Sequence, residues 1–401
     1  MMESSRMPLS SLSKTDDRDL AAPPAAEVLA MRAVHRAIAD LRRGTPVLIR
    51  GAEGSLVIAA AETVGAEGLR ELRAVALSAP VLLLAPVRAA AVLARPVPLT
   101  APLTAPEEGA VALRLPEALM LPERLRSLAD PTVEQLLPEQ PDRTHVPLLA
   151  SPALALAKLG RLLPALVAAP VRDGQAAAWQ DIATVDAADI AAYPPSAATS
   201  LHPVAEARVP LEDVPEARII AFRAADGGIE HLAILVGDPV GFSERGGTPL
   251  ARIHSECFTG DLLGSLRCDC GPQLRGALLK MAEDGHGVLV YLAQEGRGIG
   301  LVNKLRAYTL QDQGLDTLDA NRALGYGADE RNFLVAAEML RQLAITRVKL
   351  LTNNPDKLAS LAACGIAVEG RVSHEFEGNG VNDGYLATKA QRFGHMIGVK
   401  A

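Results

Sequence analysis

The chain has 401 residues, a formal net charge of −7 and a pI near 5.7. This length predicts two or three domains, and the acidic balance argues against a general nucleic-acid binder, which would carry a basic face. Four cysteines are too few for a disulfide framework and favour a reducing cytoplasm. We expect no secretory signal, since the opening residues lack an apolar stretch, and no run approaches the roughly 20 apolar residues that span a bilayer.

Residues 1–22 are polar, serine-rich and charged, which predicts a flexible N-terminal arm. Residues 23–192 are rich in Ala, Leu, Val and Pro, and their pattern predicts a compact α/β domain. We expect helices at 27–43 and 153–166, and strands at 45–49, 56–60, 75–84 and 110–115. No group of residues in this half is typical of a catalytic site.

The segment 193–204 carries three prolines among small residues, which predicts a linker. Beyond it, residues 205–401 contain all six phenylalanines, and alternating strand and helix patterns predict a mixed α/β sheet. The expected strands are 217–223, 230–236, 287–292 and 347–352, and the expected helices begin at Pro272, Leu301, Asp329 and Asn354. The fold class predicted for the whole chain is α/β with mixed sheets, in two domains.

Three of the four cysteines lie close together in the sequence: Cys257, Cys268 and Cys270. Three thiolates leave one position of a tetrahedral zinc open for a water, whose pKa then falls towards about 7. The spacing is not that of a zinc ribbon, so we predict a catalytic zinc site. The alternative is that these are ordinary buried cysteines, but the surrounding stretch is too polar for a core strand. The fourth cysteine, Cys364, is predicted to pack against apolar neighbours.

Three further turns could bind anions. The sequence QEGRGIG at 294–300 lies between a strand and a helix, and it is either a phosphate-binding loop or a plain tight turn. Asp329 and Arg331 at a predicted helix start could bind phosphate, or could be a capping carboxylate and an exposed arginine. Thr352 and Lys357 bracket another strand-to-helix turn. Together with the zinc site, these turns suggest hydrolysis of a phosphorylated substrate.

The motifs that carry this chemistry are RIHSECFTGDLLGSLRCDCGPQL, QEGRGIGLVNKLRAYTLQDQGLDT, ADERNF, LLTNNPDK and NDGYLATKAQRFGH. In this order and spacing they resemble GTP cyclohydrolase II, the first committed enzyme of riboflavin biosynthesis. The resemblance covers about residues 205–401. It implies a homodimer that acts on GTP, with one zinc ion per subunit and magnesium bound with the GTP phosphates.

The resemblance also implies roles for individual residues. It assigns the zinc to Cys257, Cys268 and Cys270. It places the GTP contacts on Arg252, Ile253, His254, Ser255, Glu256, Gln273, Glu295, Gly296, Arg297, Thr317, Thr352 and Lys357. Asp329 matches the proton acceptor of the family, and Arg331 its proposed nucleophile. Tyr308 matches a catalytic tyrosine, although its helical spacing alone is typical of a core tyrosine.

The implied reaction converts GTP to 2,5-diamino-6-ribosylamino-4(3H)-pyrimidinone 5′-phosphate, formate and pyrophosphate. Arg331 would attack the α-phosphate, and zinc-bound water would open the imidazole ring at C8. Asp329 would assist the proton transfers, and Tyr308 would position or stabilise the reacting group. Because arginine is normally protonated and a poor nucleophile, an electrostatic clamp on the α-phosphate is the competing role for Arg331.

The first half resembles 3,4-dihydroxy-2-butanone 4-phosphate synthase in AIADLRRGTPVLI and LVIAAAETV. Between these motifs RGAEGS replaces an acidic magnesium-binding stretch, and Glu53 is the one local carboxylate. We therefore expect a degenerate, inactive domain, with retained synthase activity as the alternative. For the whole chain, two other functions stay open: a nucleotide-binding regulator without turnover, and a scaffold in which the zinc is structural.

Overall fold

The computed structural model describes residues 25–93, 109–171 and 182–396, so the expected arm at 1–22 lies outside the described residues. The helices are α1 (Ala26–Arg43), α2 (Ala66–Val75), α3 (Pro86–Leu93), α4 (Pro122–Ala129), α5 (Ala150–Leu159), α6 (Ala187–Thr199), α7 (Pro239–Glu244), α8 (Cys270–Asp284), α9 (Leu301–Asp312), α10 (Thr317–Ala323), α11 (Leu334–Gln342), α12 (Pro355–Ala363) and α13 (Asp383–Phe393). The strands are β1 (Val47–Gly51), β2 (Gly54–Ala60), β3 (Val81–Leu84), β4 (Val111–Arg114), β5 (Asp142–Thr144), β6 (Ala165–Val171), β7 (Ala183–Asp186), β8 (His202–Arg208), β9 (Arg218–Arg223), β10 (His231–Gly237), β11 (Leu250–Ser255), β12 (His286–Leu292), β13 (Arg347–Leu351) and β14 (Ala367–Val372).

The first half forms a seven-stranded sheet in the order β5-β4-β3-β6-β2-β1-β7. All neighbours pair antiparallel except β1 and β7, which run parallel. Residues 56–60 of β2 are buried in an unbroken run, because apolar side chains cover both faces of the sheet. This half therefore has its own sheet with a core on each side.

The second half forms another seven-stranded sheet, in the order β14-β13-β11-β12-β10-β9-β8. The pairs β14–β13, β13–β11 and β11–β12 are parallel, while the pairs β12–β10, β10–β9 and β9–β8 are antiparallel. Because β11, β12 and β13 are parallel, the loops that follow Ser255, Leu292 and Leu351 leave the same edge of the sheet. That edge is where open α/β sheets bind ligands.

The mixed α/β fold class predicted from the sequence is confirmed, with three local differences before residue 205. The expected strand 75–84 is only β3, because Val75 ends α2, whose buried face includes Leu69 and Leu72. The expected helix 153–166 stops with α5 at Leu159, since Arg161 adopts a left-handed backbone (φ 55°) and β6 begins four residues later.

The third difference concerns 193–204, which was predicted to be a linker. This segment is the end of α6 and the start of β8, and Pro194 and Pro195 lie inside the helix. Packing explains the helix, because α6 contacts α1 and α5 of the first half and α11 of the second. The domain boundary itself stays a prediction. None of the helices in the described ranges is long and apolar enough to cross a membrane.

The two halves share one apolar core. Residues of the turn before α9, of α9, of α10 and of the loop after α10 are buried in the same cluster as the strands and helices of the first half: Ile299, Ala307, Leu310, Ala320, Leu324 and Tyr326. Polar contacts reinforce this junction. The largely buried Arg306 lies 2.7 Å from Asp130 and 2.8 Å from Glu62, and the Tyr326 hydroxyl donates to the Leu162 carbonyl at 2.6 Å.

Candidate active site

The predicted proximity of the three cysteines is confirmed. Cys257 follows β11 and precedes a π-type turn over Phe258–Leu262, while Cys270 opens α8. The three Sγ atoms lie within 4.8 Å of one another, and those of Cys257 and Cys268 are 3.7 Å apart. Zinc–sulfur bonds of about 2.3 Å in a tetrahedron would place thiolates roughly 3.8 Å apart, so this donor set fits a zinc ion.

Gly260 closes the turn around the thiols. Its N–H donates to the Cys257 Sγ at 3.3 Å, and a Cβ at this position would lie 2.7 Å from the Cys268 Sγ. Only glycine can therefore approach the thiols this closely. Among the described residues, the cluster contains no fourth His, Cys, Asp or Glu ligand, which leaves one position of a bound metal for a water or a substrate.

Lys304 of α9 also contacts the thiols. Its Nζ donates to the Cys257 Sγ at 2.9 Å and to the Glu295 Oε1 at 2.8 Å. Hydrogen bonds from Cys268 and Cys270, and the Lys304 ammonium, lower the pKa of Cys257. Burial alone would lower the pKa of Lys304, but the thiolate and the carboxylate outweigh it and raise that pKa. The sequence analysis missed Lys304; its position one helical turn before Tyr308 was an available signal.

Arg252 and Lys357 are buried cations at the edge of the parallel strands. Arg252 donates to the Leu351 carbonyl at 3.0 Å and also to Gln273, while Lys357 donates to the Ile253 carbonyl at 2.8 Å. Burial, with a further contribution from nearby arginines, lowers the pKa of Lys357 well below its usual value. Two cations kept out of water suit an anionic ligand, which would compensate for their desolvation.

Several buried nitrogen atoms in this region have no protein partner: Arg252 Nε, His254 Nδ1 and Arg297 Nη1. The other nitrogen of His254, Nε2, lies 3.1 Å from Asp261, whose carboxylate also accepts a hydrogen bond from Tyr291 at 3.0 Å. Because buried polar atoms are normally hydrogen-bonded, three unpaired nitrogens on residues that line one cavity indicate a polar ligand.

The sequence predicted that a helix begins at Asp329. In the structure, Asp329 and Arg331 lie before the helix. Helix α11 begins at Leu334, and its N-cap residue is Phe333. The Arg331 guanidinium and backbone N–H both bind the Asp329 carboxylate, with Nε at 2.8 Å, and the N–H of Glu330 donates to the Arg297 carbonyl at 3.0 Å. These bonds hold the segment in a loop. Burial alone would raise the pKa of Asp329, but the Arg331 guanidinium lowers it.

The QEGRGIG sequence forms a 3-10 turn over Glu295–Gly298 in which Gly296 and Arg297 have left-handed backbones. A Cβ on Gly298 would lie 2.8 Å from the Glu330 carbonyl oxygen, so the turn packs directly against the Asp329–Arg331 loop. The N–H groups of Gly296, Gly298 and Gly300 all bind within the turn. This geometry favours the tight-turn alternative over a phosphate loop, with the side chains left to contact a ligand.

One open cavity joins these features. It is lined by most of the residues predicted for the site: Arg252, His254, Ser255, Glu256, Cys257, Cys268, Cys270, Gln273, Glu295, Gly296, Arg297, Tyr308, Thr317, Arg331, Thr352 and Lys357. Tyr308 is therefore not a core tyrosine. Ile253 and Asp329 do not line the cavity, since the Ile253 side chain is buried in an apolar cluster and Asp329 is turned towards Arg331.

The sequence analysis also missed several residues that line the cavity from the end of the chain: Tyr385, Lys389 and His395. Lys389 donates to Asp269 at 2.6 Å, which ties α13 to the start of α8. The signal for these residues was the motif NDGYLATKAQRFGH, which contains all three. Cys364, in contrast, packs partly buried against the core of the second sheet, as predicted.

Comparison with known proteins identifies the family. The GTP cyclohydrolase II family model matches residues 202–373. A GTP cyclohydrolase-2 from Azospirillum brasilense is 50% identical over 391 residues, covering 94% of this chain and 98% of the relative. A GTP cyclohydrolase-2 from Actinobacillus succinogenes is 53% identical over 180 residues, covering 45% of this chain and 81% of the relative.

Among solved structures, a two-domain 3,4-dihydroxy-2-butanone 4-phosphate synthase from A. baumannii overlaps 86% of this chain and 99% of its own, with 17% identity and a TM-score of 0.31. An overlap this weak adds nothing to the assignment. The identity to the A. brasilense relative, over nearly the full length of both chains, decides it. The chain belongs to the GTP cyclohydrolase II family.

Proposed function

We propose that the chain hydrolyses GTP to 2,5-diamino-6-ribosylamino-4(3H)-pyrimidinone 5′-phosphate, formate and pyrophosphate, as the first step of riboflavin biosynthesis. The observation that carries the proposal is the shared cavity: three clustered thiols line the same space as Arg252, Arg331 and Lys357. A metal site and a set of phosphate-binding cations within one cleft suit a hydrolase acting on a nucleoside triphosphate.

Cys257, Cys268 and Cys270 would hold a zinc ion, which supplies hydroxide at neutral pH from a bound water. Glu295 accepts hydrogen bonds from Lys304 and from the Phe258 N–H at 2.6 Å, so it fixes the thiol-bearing loop against α9. Tyr308, one helical turn beyond Lys304, would orient the guanine base of GTP over the thiols. Thr317 would make a further contact with GTP.

At the phosphate end, Arg331 would bind the α-phosphate and Lys357 a neighbouring phosphate. The Arg331 guanidinium is paired with Asp329 through two nitrogens, an arrangement that suits a charged clamp better than a nucleophile. Asp329 would accept protons as the clamp shifts towards substrate. Magnesium is proposed to bind mainly through the phosphates and water, since magnesium in nucleotide sites keeps several waters and takes few protein ligands.

For the first half, we propose a degenerate synthase-like domain at 23–192, without synthase activity. In its described part Glu53 stands in the exposed turn between β1 and β2, and no cluster of potential metal ligands surrounds it. The proposed catalytic domain spans 205–401. The homodimer is proposed from the family resemblance alone, and a cytoplasmic location from the unpaired cysteines.

The test is formate release from GTP by the purified protein, with and without a zinc chelator. Removing a thiol should abolish both zinc binding and turnover, so Cys257→Ser should contain no stoichiometric zinc and lose at least about a thousandfold in kcat. The matched control is Cys364→Ser, which changes a partly buried cysteine outside the cavity and should keep both. GTP binding without formate from the zinc-loaded protein would instead support the regulatory alternative.

A further inference from the structure

The turn that follows α5 in the first half reaches into the second half, close to the active site. The Arg161 guanidinium donates to the Ala293 carbonyl at 2.5 Å, and Ala293 directly precedes the Gln294–Gly300 turn. In the opposite direction, Asn303 of α9 donates to the Arg161 carbonyl at 2.9 Å. One residue of the first half therefore holds both the entry to this turn and the helix that follows it.

The backbone of Arg161 makes this double contact possible. Its φ of 55° is uncommon for a residue with a side chain, and it turns the chain sharply after α5. The side chain then lies against Gly300, where a Cβ would come within 2.9 Å of the Arg161 Cδ. A strained conformation of this kind persists where the surrounding contacts enforce it, which suggests a functional constraint.

The contacts of Arg161 lead to the thiols in two steps. Ala293 is two residues before Glu295, and Asn303 is adjacent to Lys304. Glu295 and Lys304 bind each other at 2.8 Å, and Lys304 reaches the Cys257 Sγ at 2.9 Å. A shift of the turn or of α9 would therefore move two groups that contact the metal-binding loop.

The surroundings of Arg161 agree with a role at the site. Burial and the nearby Arg42 lower its pKa, while the carboxylates of Glu256 and Glu295 oppose this shift. A second contact runs beside it: Lys158 binds Glu330 at 2.8 Å, in the loop that carries Asp329 and Arg331. The first half thus touches both loops that frame the cavity.

We propose that Arg161 is a positioning residue of the cyclohydrolase site, an inference that rests on the proposed function. It holds the Gln294–Gly300 turn and α9 in the arrangement in which Glu295 and Lys304 reach the Cys257 thiol. The first half then contributes to catalysis without touching the substrate, through a contact that a chain lacking residues 150–165 could not make.

The informative variant is Arg161→Asn, because asparagine tolerates a left-handed backbone but cannot reach Ala293. Arg161→Lys is the conservative variant, since lysine can still donate to that carbonyl. The matched control is Arg42→Ala, which removes a guanidinium bond of 2.8 Å to Gly160, one residue away, that stays within the first half. The full-length protein is used throughout. The readouts are kcat, KM for GTP, zinc affinity by chelator competition, and the thermal unfolding midpoint.

We expect Arg161→Asn to lower kcat and zinc affinity about tenfold each, with KM for GTP unchanged. Losses of this size are typical when a hydrogen bond that orients the residues around a metal site is removed. Arg161→Lys should recover most of both, and Arg42→Ala should keep both. Wild-type kcat and zinc affinity in Arg161→Asn, or equal losses in Arg42→Ala, would overturn the proposal.

If Arg161→Asn does not unfold cooperatively, Arg161→Gln decides, because glutamine keeps part of the side-chain stem but is two bonds too short to donate to the Ala293 carbonyl. A several-fold loss of zinc affinity in Arg161→Gln at an unchanged unfolding midpoint supports the positioning role, and parity with wild type refutes it. A wild-type protein that releases no formate from GTP would refute the proposed function, while the zinc affinities would still judge Arg161.

Discussion

The two halves of the molecule differ in what they bury. Among the described residues, the first half buries three polar or charged side chains: Arg88, Ser127 and Asp130. The second half buries thirteen: Arg252, His254, Asp269, Glu295, Asn303, Asn321, Thr352, Asn353, Asn354, Lys357, His374, Asn382 and Lys389. A buried polar group costs about 1–3 kcal/mol when it is left unsatisfied, so a fold that keeps many of them around one cavity does so for binding. The first half, in contrast, buries few polar groups, which suits a structural role as the packing surface for α9 and α10.

The largest effect that tests this contrast is on catalysis. Arg331→Ala should lower kcat about a hundredfold to a thousandfold, because it removes the cation proposed to bind the α-phosphate. The unfolding midpoint should hardly change, since the Asp329 carboxylate that pairs with Arg331 is only partly buried, with 33% of its side chain exposed, and water can solvate it when Arg331 is removed. Steady-state formate release and thermal unfolding measure the two quantities. Arg341→Ala, which changes an arginine on the outer side of α11, should match wild type in kcat.

Arg331→Lys separates the two roles considered for this residue. A clamp needs a positive charge, and lysine should therefore recover part of the activity lost in Arg331→Ala. A lysine variant as inactive as the alanine variant would favour a specific covalent role for the guanidinium.

The second effect concerns the junction between the two halves and should lower the free energy of unfolding. Arg306→Ala removes the cation that pairs with Glu62 and Asp130, and burial already raises the pKa of Glu62. Leaving two largely buried carboxylates unpaired should cost about 3 kcal/mol of unfolding free energy, measured by urea denaturation.

The matched variant is Arg306→Met combined with Glu62→Gln and Asp130→Asn, which removes the charges together and should regain most of the loss. A cost below about 1 kcal/mol in Arg306→Ala, the range of an exposed ion pair, would show that this junction contributes little and would weaken the view of the first half as a support.

The smallest effect is pH-dependent. His231 accepts a hydrogen bond from the Ala293 N–H at 3.0 Å through Nδ1, and burial, together with Arg161, lowers its pKa from 6.5 to about 4. Because the unfolded chain binds the proton first, stability contributed by neutral His231 is present above pH 6.5 and is lost as the pH falls towards 4.

His231→Gln should therefore reduce the loss of unfolding free energy between pH 7 and pH 4 by on the order of 2 kcal/mol. The control is His202→Gln at an exposed position of β8, which should keep the wild-type dependence. His374, whose pKa burial also lowers to about 4, remains in both variants and accounts for part of the residual slope. An unchanged slope in His231→Gln would mean that other groups dominate the acid response.

The sequence predicted those helices and strands that carry a local signal, such as apolar periodicity or a capping residue. The β9–β10 hairpin, β12 and α12 with its Asn354 cap all follow from short-range periodicity and capping residues, and the clustering of three cysteines followed from their spacing. The predicted start of α11 at Asp329 was wrong, because two contacts override the capping pattern. These are the ion pair between Asp329 and Arg331 and the hydrogen bond from the Glu330 N–H to the Arg297 carbonyl. The contact of Arg161 with Ala293 joins residues 132 apart in sequence, so no local pattern could predict it. The contact of Lys304 with Cys257 spans 47 residues, and only the position of Lys304 one turn before Tyr308 could be read from the sequence.

The shared core of α9, α10 and the first sheet has a consequence for exchanging parts between relatives. The A. succinogenes relative aligns with 45% of this chain, so replacing the second half of this chain by such a shorter enzyme is an obvious experiment. Here, however, Ala307 and Leu310 lie on the helix that also carries Lys304 and Tyr308. A functional chimera would have to join a catalytic face from one source to a packing face from the other within a single helix. The natural unit of exchange is therefore α9 together with the sheet that it packs against.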